Sequence, residues 1–338
     1  MKKPLLKPMR LQDIAAHRQF IYGISALWIL CSHMNFTAPK RGISLILRLL
    51  QDTGTCGVEV FLFLTGFGLY GALNRNPDVK RFYRRRLVRV LLPALVVLLG
   101  CDLIVCSRLF GYDINLQFLL TWPWDDRLWY VSFILVMYLI YPLLHKWIRP
   151  ENKKGWFIAF ALSFAACFLV EILHGGVPKE ILRLLTRIPV FLLGCMLAPA
   201  VEANRRVPRW SLPCVLIGSA VGIVAWKLSK RFGYLYSVRM FVYLFMGAAV
   251  ILLLGYIAQL LQKFGLGRRL YKAFLFCGGI SLEIYLVFDR VRELLEFVPG
   301  IKALPSAGMD LLAAVFTIPL AWLLRRLCLY FARGIGKN

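Results

Sequence analysis

The residues in this sequence best suited to chemistry are a histidine, an acid and a run of arginines, each set among long apolar stretches. His33 stands near the end of IYGISALWILCSHMNF, and Glu59 near the start of GVEVFLFLTGFGLYG. If these stretches are membrane helices running in opposite directions, both residues fall at similar depth in the outer leaflet. An ionisable side chain at that depth is costly and marks a functional site by default. A carboxylate beside an imidazole orients the ring and favours its action as a general base. The spacing therefore offers a His33–Glu59 dyad, with an interfacial histidine bonded to a loop as the plain alternative.

The densest charge comprises Arg75, Lys80, Arg81, Arg84, Arg85, Arg86 and Arg89, inside NRNPDVKRFYRRRLVRVLLP. Two readings are open. One is a topology anchor lying against anionic headgroups. The other is a phosphate-binding surface, since guanidinium groups clamp phosphate oxygens in bidentate fashion. On a helix, Arg81, Arg85 and Arg89 recur every fourth residue and share one face.

These residues need elements to hold them, and composition says which. Of 338 residues, 59% are hydrophobic and 17% charged, against about half and a quarter in soluble domains. The apolar residues come in runs near the roughly 20 that a membrane-crossing helix needs. The expected fold is an all-α integral membrane protein of about ten transmembrane helices, near 19–36, 55–74, 90–108, 128–147, 156–173, 184–201, 210–228, 238–262, 273–297 and 304–331. A cytoplasmic segment 1–18, a single transmembrane domain 19–331 and a cytoplasmic tail 332–338 complete the division. Pro77, Trp122-Pro123-Trp124, Pro208 and Pro299-Gly300 punctuate the runs. Of the 42 lysines and arginines, 27 fall on the side of the N-terminus and 15 on the other. The positive-inside rule then places both termini in the cytoplasm.

The net charge of +25 falls in short clusters between apolar runs, which excludes a nucleic-acid surface. The nine cysteines lack CxxC or zinc spacing and read as small buried hydrophobes, so no metal is expected. The basic N-terminus lacks a cleavable signal pattern, so the first span is expected to be retained. Gly218 and Gly222 form a small-residue notch for helix packing. Trp129 and Tyr130 suit an interfacial aromatic belt or a sugar-stacking platform equally well. Glu283 and Asp289 are acids within a span, placed to line an acceptor vestibule or to form structural ion pairs.

GVEVFLFLTGFGLY followed by RFYRRRLVRVLLP resembles the acyltransferase 3 family of bacterial membrane proteins. YGISALWILCSH, LWYVSFILVMYLIYPLL, RIPVFLLGCML and SLEIYLV fit the same pattern in order. The resemblance implies transfer of an acyl group, often acetyl, from cytoplasmic acyl-CoA to a hydroxyl of an extracytoplasmic glycan or other envelope acceptor, in the bacterial cell membrane. It matches the family's first-helix histidine to His33, its second-helix acid to Glu59, its loop arginines to Arg84, Arg85 and Arg89, and a further basic residue to Arg187. Catalysis is expected at His33 and Glu59, CoA binding at these arginines with Arg81 of the same helix face, and substrate contacts at Arg187, Trp129, Glu283 and Asp289. His33 would deprotonate the acceptor or carry the acyl group itself. Tyr22 stands where the family has arginine, and Phe288 where many members have histidine. A transporter or flippase is the rival class, and a non-catalytic relative the third. Oligomeric state leaves no mark in the sequence.

Overall fold

The structure, a computed structural model, describes residues 8–34, 48, 50–100, 128–147, 152–173, 179–229, 231, 236–302 and 304–335. Two compact units divide the chain. The first comprises Met1–Ser25, Cys56–Asp78 and Ile140–Phe276, and the second Ala26–Thr55, Val79–Leu139 and Cys277–Asn338. The helices are α1 (Leu11–Ala16), α2 (Arg18–Ser32), α3 (Cys56–Arg75), α4 (Val79–Val97), α5 (Trp129–Trp147), α6 (Lys153–Leu173), α7 (Lys179–Leu185), α8 (Ile188–Glu202), α9 (Ser211–Ser229), α10 (Arg239–Leu261), α11 (Gly265–Gly279), α12 (Ser281–Leu295), α13 (Pro299–Lys302) and α14 (Ser306–Ile335).

Seven helices among the described residues are long and apolar enough to cross a membrane, and α11 with α12 forms a broken candidate for one more. The expected count was about ten. Two of the differences have a physical cause. α2 has 15 residues, about 22 Å at 1.5 Å per residue and short of the hydrocarbon core. α4 begins 11 residues before the expected start at 90, so the arginine segment is the opening of a helix and not a loop. Residues 101–108 of that expected span, and the Trp122-Pro123-Trp124 turn, lie outside the described residues. The span expected at 273–297 is interrupted at Ile280, whose backbone (φ −119°, ψ 19°) is not helical.

In the first unit α3 is the central helix, buried along most of its length. Its glycines explain why. A Cβ on Gly66 would strike the Phe191 carbonyl oxygen, and one on Gly194 of α8 would strike the Phe63 carbonyl oxygen. The two backbones approach through reciprocal glycines, the small-residue packing that membrane helices use in place of a hydrophobic driving force. α9 meets α10 similarly: a Cβ on Gly218 would lie 2.5 Å from the Phe245 ring, and one on Gly222 3.1 Å from the Val242 nitrogen. The exposed sides of α6 and α9 carry Phe157, Leu162, Ile172, Ile217 and Val221, as a lipid-facing surface requires.

An N-terminal clasp closes this unit. Leu11 N–H donates to the Arg205 carbonyl at 3.0 Å, and Val207 N–H to the Met9 carbonyl at 2.9 Å, around an antiparallel bridge between Arg10 and Arg206. Met9 is buried against Gly255. His17 follows, its Nδ1 sharing a 2.9 Å hydrogen bond with the Tyr271 hydroxyl.

The second unit is built around α12. Ile284, Phe288 and Val291 pack with Leu30 and Met34 on one side and with Ala313 and Ala321 of α14 on the other. α4 also packs against both α12 and α14.

Three outcomes follow. Gly194→Val forces the α3 and α8 backbones apart and should cost about 2 kcal/mol or more, read as a lower thermal midpoint in detergent. Gly68→Ala, where an added Cβ meets nothing within 4 Å, should leave the midpoint unchanged. Burial holds the His17 imidazole below its usual 6.5, against the opposing pull of Asp13. The fold favours the neutral ring, so this contribution is complete above pH 6.5 and is lost as the pH falls through the folded-state value. His17→Gln should flatten that part of the stability profile.

Candidate active site

The second unit gathers a histidine, carboxylates and arginines around α12. His33 sits one residue past the end of α2, where Leu30 and Met34 anchor the chain to the α12 core. Its Nδ1 lies 3.6 Å from Asp289 Oδ1, with side chains 44% and 30% exposed. Phe288, the residue before Asp289, presents its ring edge-on to His33 at 6.5 Å between centroids. Among the described residues the imidazole is thus approached at Nδ1 by Asp289 and at its ring by Phe288. Bonds of this kind are often long before substrate binds.

Glu59 takes a different partner. It is fully buried in the first turn of α3, in the first unit, and its Oε1 lies 3.0 Å from Arg187 Nε. Arg187 also donates from Nη1 to the Arg183 carbonyl at 2.9 Å and sets its guanidinium 4.4 Å over the Tyr243 ring. Within its own unit each of the two residues has a partner, His33 with Asp289 and Glu59 with Arg187. Arg187, expected to touch substrate, is itself 4% exposed. A buried carboxylate takes the nearest fixed cation because leaving it alone in low dielectric is prohibitive.

The arginines of α4 divide by environment. Arg81, Arg84 and Arg85 are exposed along its first turns. Arg86 sits 5.8 Å from the Phe82 ring centroid and 5.9 Å from that of Tyr138. Arg89 turns inward, donating from Nη1 to Glu283 Oε1 at 2.7 Å and from Nη2 to the Gly279 carbonyl at 3.3 Å. Glu283 is fully buried in the first turn of α12, an end where the helix dipole favours an acid. Arg325 of α14 approaches the same oxygen at 3.6 Å. Trp129 opens α5 edge-on to Tyr130, which in turn meets Tyr285 of α12 at 5.7 Å.

Sequence reasoning missed Arg325 and the pair between Arg292 Nε and Asp310 Oδ1 at 2.6 Å. A signal for the first was present: Arg325-Arg326 interrupts an otherwise apolar run in the last helix.

Helices long and apolar enough to cross a bilayer, with ionisable groups paired among them, define a multi-pass membrane protein. The profile of the acyltransferase 3 family, described as an acyltransferase domain, matches residues 21–326. The chain belongs to that family. No curated protein and no solved structure matches it.

The buried pair makes a separable prediction. Glu59→Gln or Arg187→Met alone leaves one charge stranded and should cost about 3–5 kcal/mol. Both together should cost less than either alone, measured as thermal midpoints in a double-mutant cycle.

Proposed function

We propose that the protein transfers an acyl group, acetyl before others, from cytoplasmic acyl-CoA to a hydroxyl of an envelope glycan or other acceptor outside a bacterial cell membrane. The observation that carries this reading is the His33–Asp289 pair, standing in the same unit as the exposed arginines of α4. Family membership supports the reaction class.

In this mechanism Asp289 holds Nδ1, so that Nε2 accepts the proton of the acceptor hydroxyl. The acceptor oxygen attacks the thioester carbonyl, and a C–O bond forms as the C–S bond breaks. CoA leaves as its thiolate and takes the proton back from the imidazolium, which Asp289 stabilises in the interval. Arg81, Arg84 and Arg85 grip the donor's phosphates. Glu59 and Arg187 pair with each other and hold α3 to α8. Trp129 and Tyr130 offer stacking faces for a sugar.

Purified protein with radiolabelled acetyl-CoA and crude envelope glycan should yield labelled glycan, and His33→Ala should abolish it. Asp289→Asn should lower kcat by about 100-fold and leave KM for acetyl-CoA unchanged. Undiminished labelling by His33→Ala sinks the mechanism, and movement of unmodified lipid-linked glycan across vesicles would point to a transporter.

A further inference from the structure

We propose that Arg89, Glu283 and Arg325 form a station that reads the amide groups of the donor's pantetheine arm, between its phosphates and its thioester. The inference rests on the acyl-CoA reading above and assigns part of that ligand to residues outside the exposed arginine group.

Depth is the first argument. Arg89 lies ten residues in from the start of α4, and Arg325 ten residues before the end of α14. Each is therefore about 15 Å along its helix from the nearer terminus. Arginines that anchor a helix to headgroups sit at its ends. These two meet instead at a fully buried carboxylate, while their own side chains stay 34% and 26% exposed.

The donor and acceptor inventory is the second. Glu283 directs Oε1 at both arginines, and its Oε2 is buried with no hydrogen-bond partner among the described residues. The station thus presents guanidinium N–H donors and one unsatisfied acceptor side by side. A phosphate offers acceptors only, and it would be brought against a buried negative charge. A secondary amide offers a carbonyl for the arginines and an N–H for Oε2 together. A pantetheine arm carries two such amides in series.

Order along the helices is the third. Glu283 and Asp289 are six residues apart on α12, about 9 Å axially, and Asp289 faces His33. Arg85 and Arg81 precede Arg89 on α4 by one and two further turns, about 6 and 12 Å. With α4 and α12 both running outward, as the expected order of spans has them, exposed arginines, the station and His33 follow one another as phosphates, amides and thioester do in acyl-CoA.

The full-length protein in detergent is titrated with CoA and, separately, with pantetheine, comparing wild type, Arg325→Gln, Arg325→Lys and Arg85→Ala. Losing amide contacts should weaken CoA and pantetheine equally in both Arg325 variants, by about tenfold, with unchanged melting temperature. Arg85→Ala should weaken CoA alone. If the Arg325 variants lose affinity for CoA but not for pantetheine, a phosphate sits there and the station is wrong. Unchanged affinity for both ligands overturns it equally. A wild type that binds neither ligand removes the acyl-CoA reading itself, a result distinct from either.

Discussion

The ion pair between Glu59 and Arg187 is the constraint on which the first unit depends. A lone carboxylate or guanidinium in a water-free interior carries a desolvation penalty that packing cannot offset. Each therefore obliges its helix to stay within reach of the other. Glu59 fixes the start of α3 and Arg187 the start of α8, and Tyr243 brings α10 to the same point. Once those ends are fixed, the reciprocal glycines let the α3 and α8 backbones close along their length. Side-chain packing in a bilayer gains little from expelling lipid, so polar pinning at one end and close approach along the rest complement each other.

In the second unit the corresponding role falls to the interruption at Ile280. A helix that restarts inside the apolar region exposes fresh backbone N–H groups, and an acid in its first turn meets that dipole. Glu283 occupies this position and draws Arg89 and Arg325 to it. Further along, Asp289 faces His33, and Arg292 binds the buried Asp310 of α14. One short helix thus organises charges contributed by α2, α4 and α14. A continuous helix through Ile280 would give Glu283 no helix start to sit at.

Much of this was legible in the sequence, for reasons that differ by feature. The apolar runs of α5, α6, α9 and α10 located those helices to within about three residues, because the bilayer imposes both composition and length. The start of α4 was not legible, since six cationic residues mask a helix that begins straight after Asn76-Pro77-Asp78. His33, Glu59, Glu283 and Asp289 were recognised individually, as charged groups at membrane depth must be. Their partners were not. Depth ranks candidates along the membrane normal, whereas pairing depends on which helices are lateral neighbours, and that is settled by glycine contacts and the helix break.

The clasp between Met9 and Val207 sets an order of assembly. Residues around Met9 are synthesised long before their bridge partner at Arg205–Val207 exists, so their carbonyls and N–H groups must wait unpaired while four of the seven apolar spans among the described residues are made. The segment around Met9 therefore becomes ordered only after α8 has been made. The segment around Met9 thereby joins helices made after it and does not nucleate them.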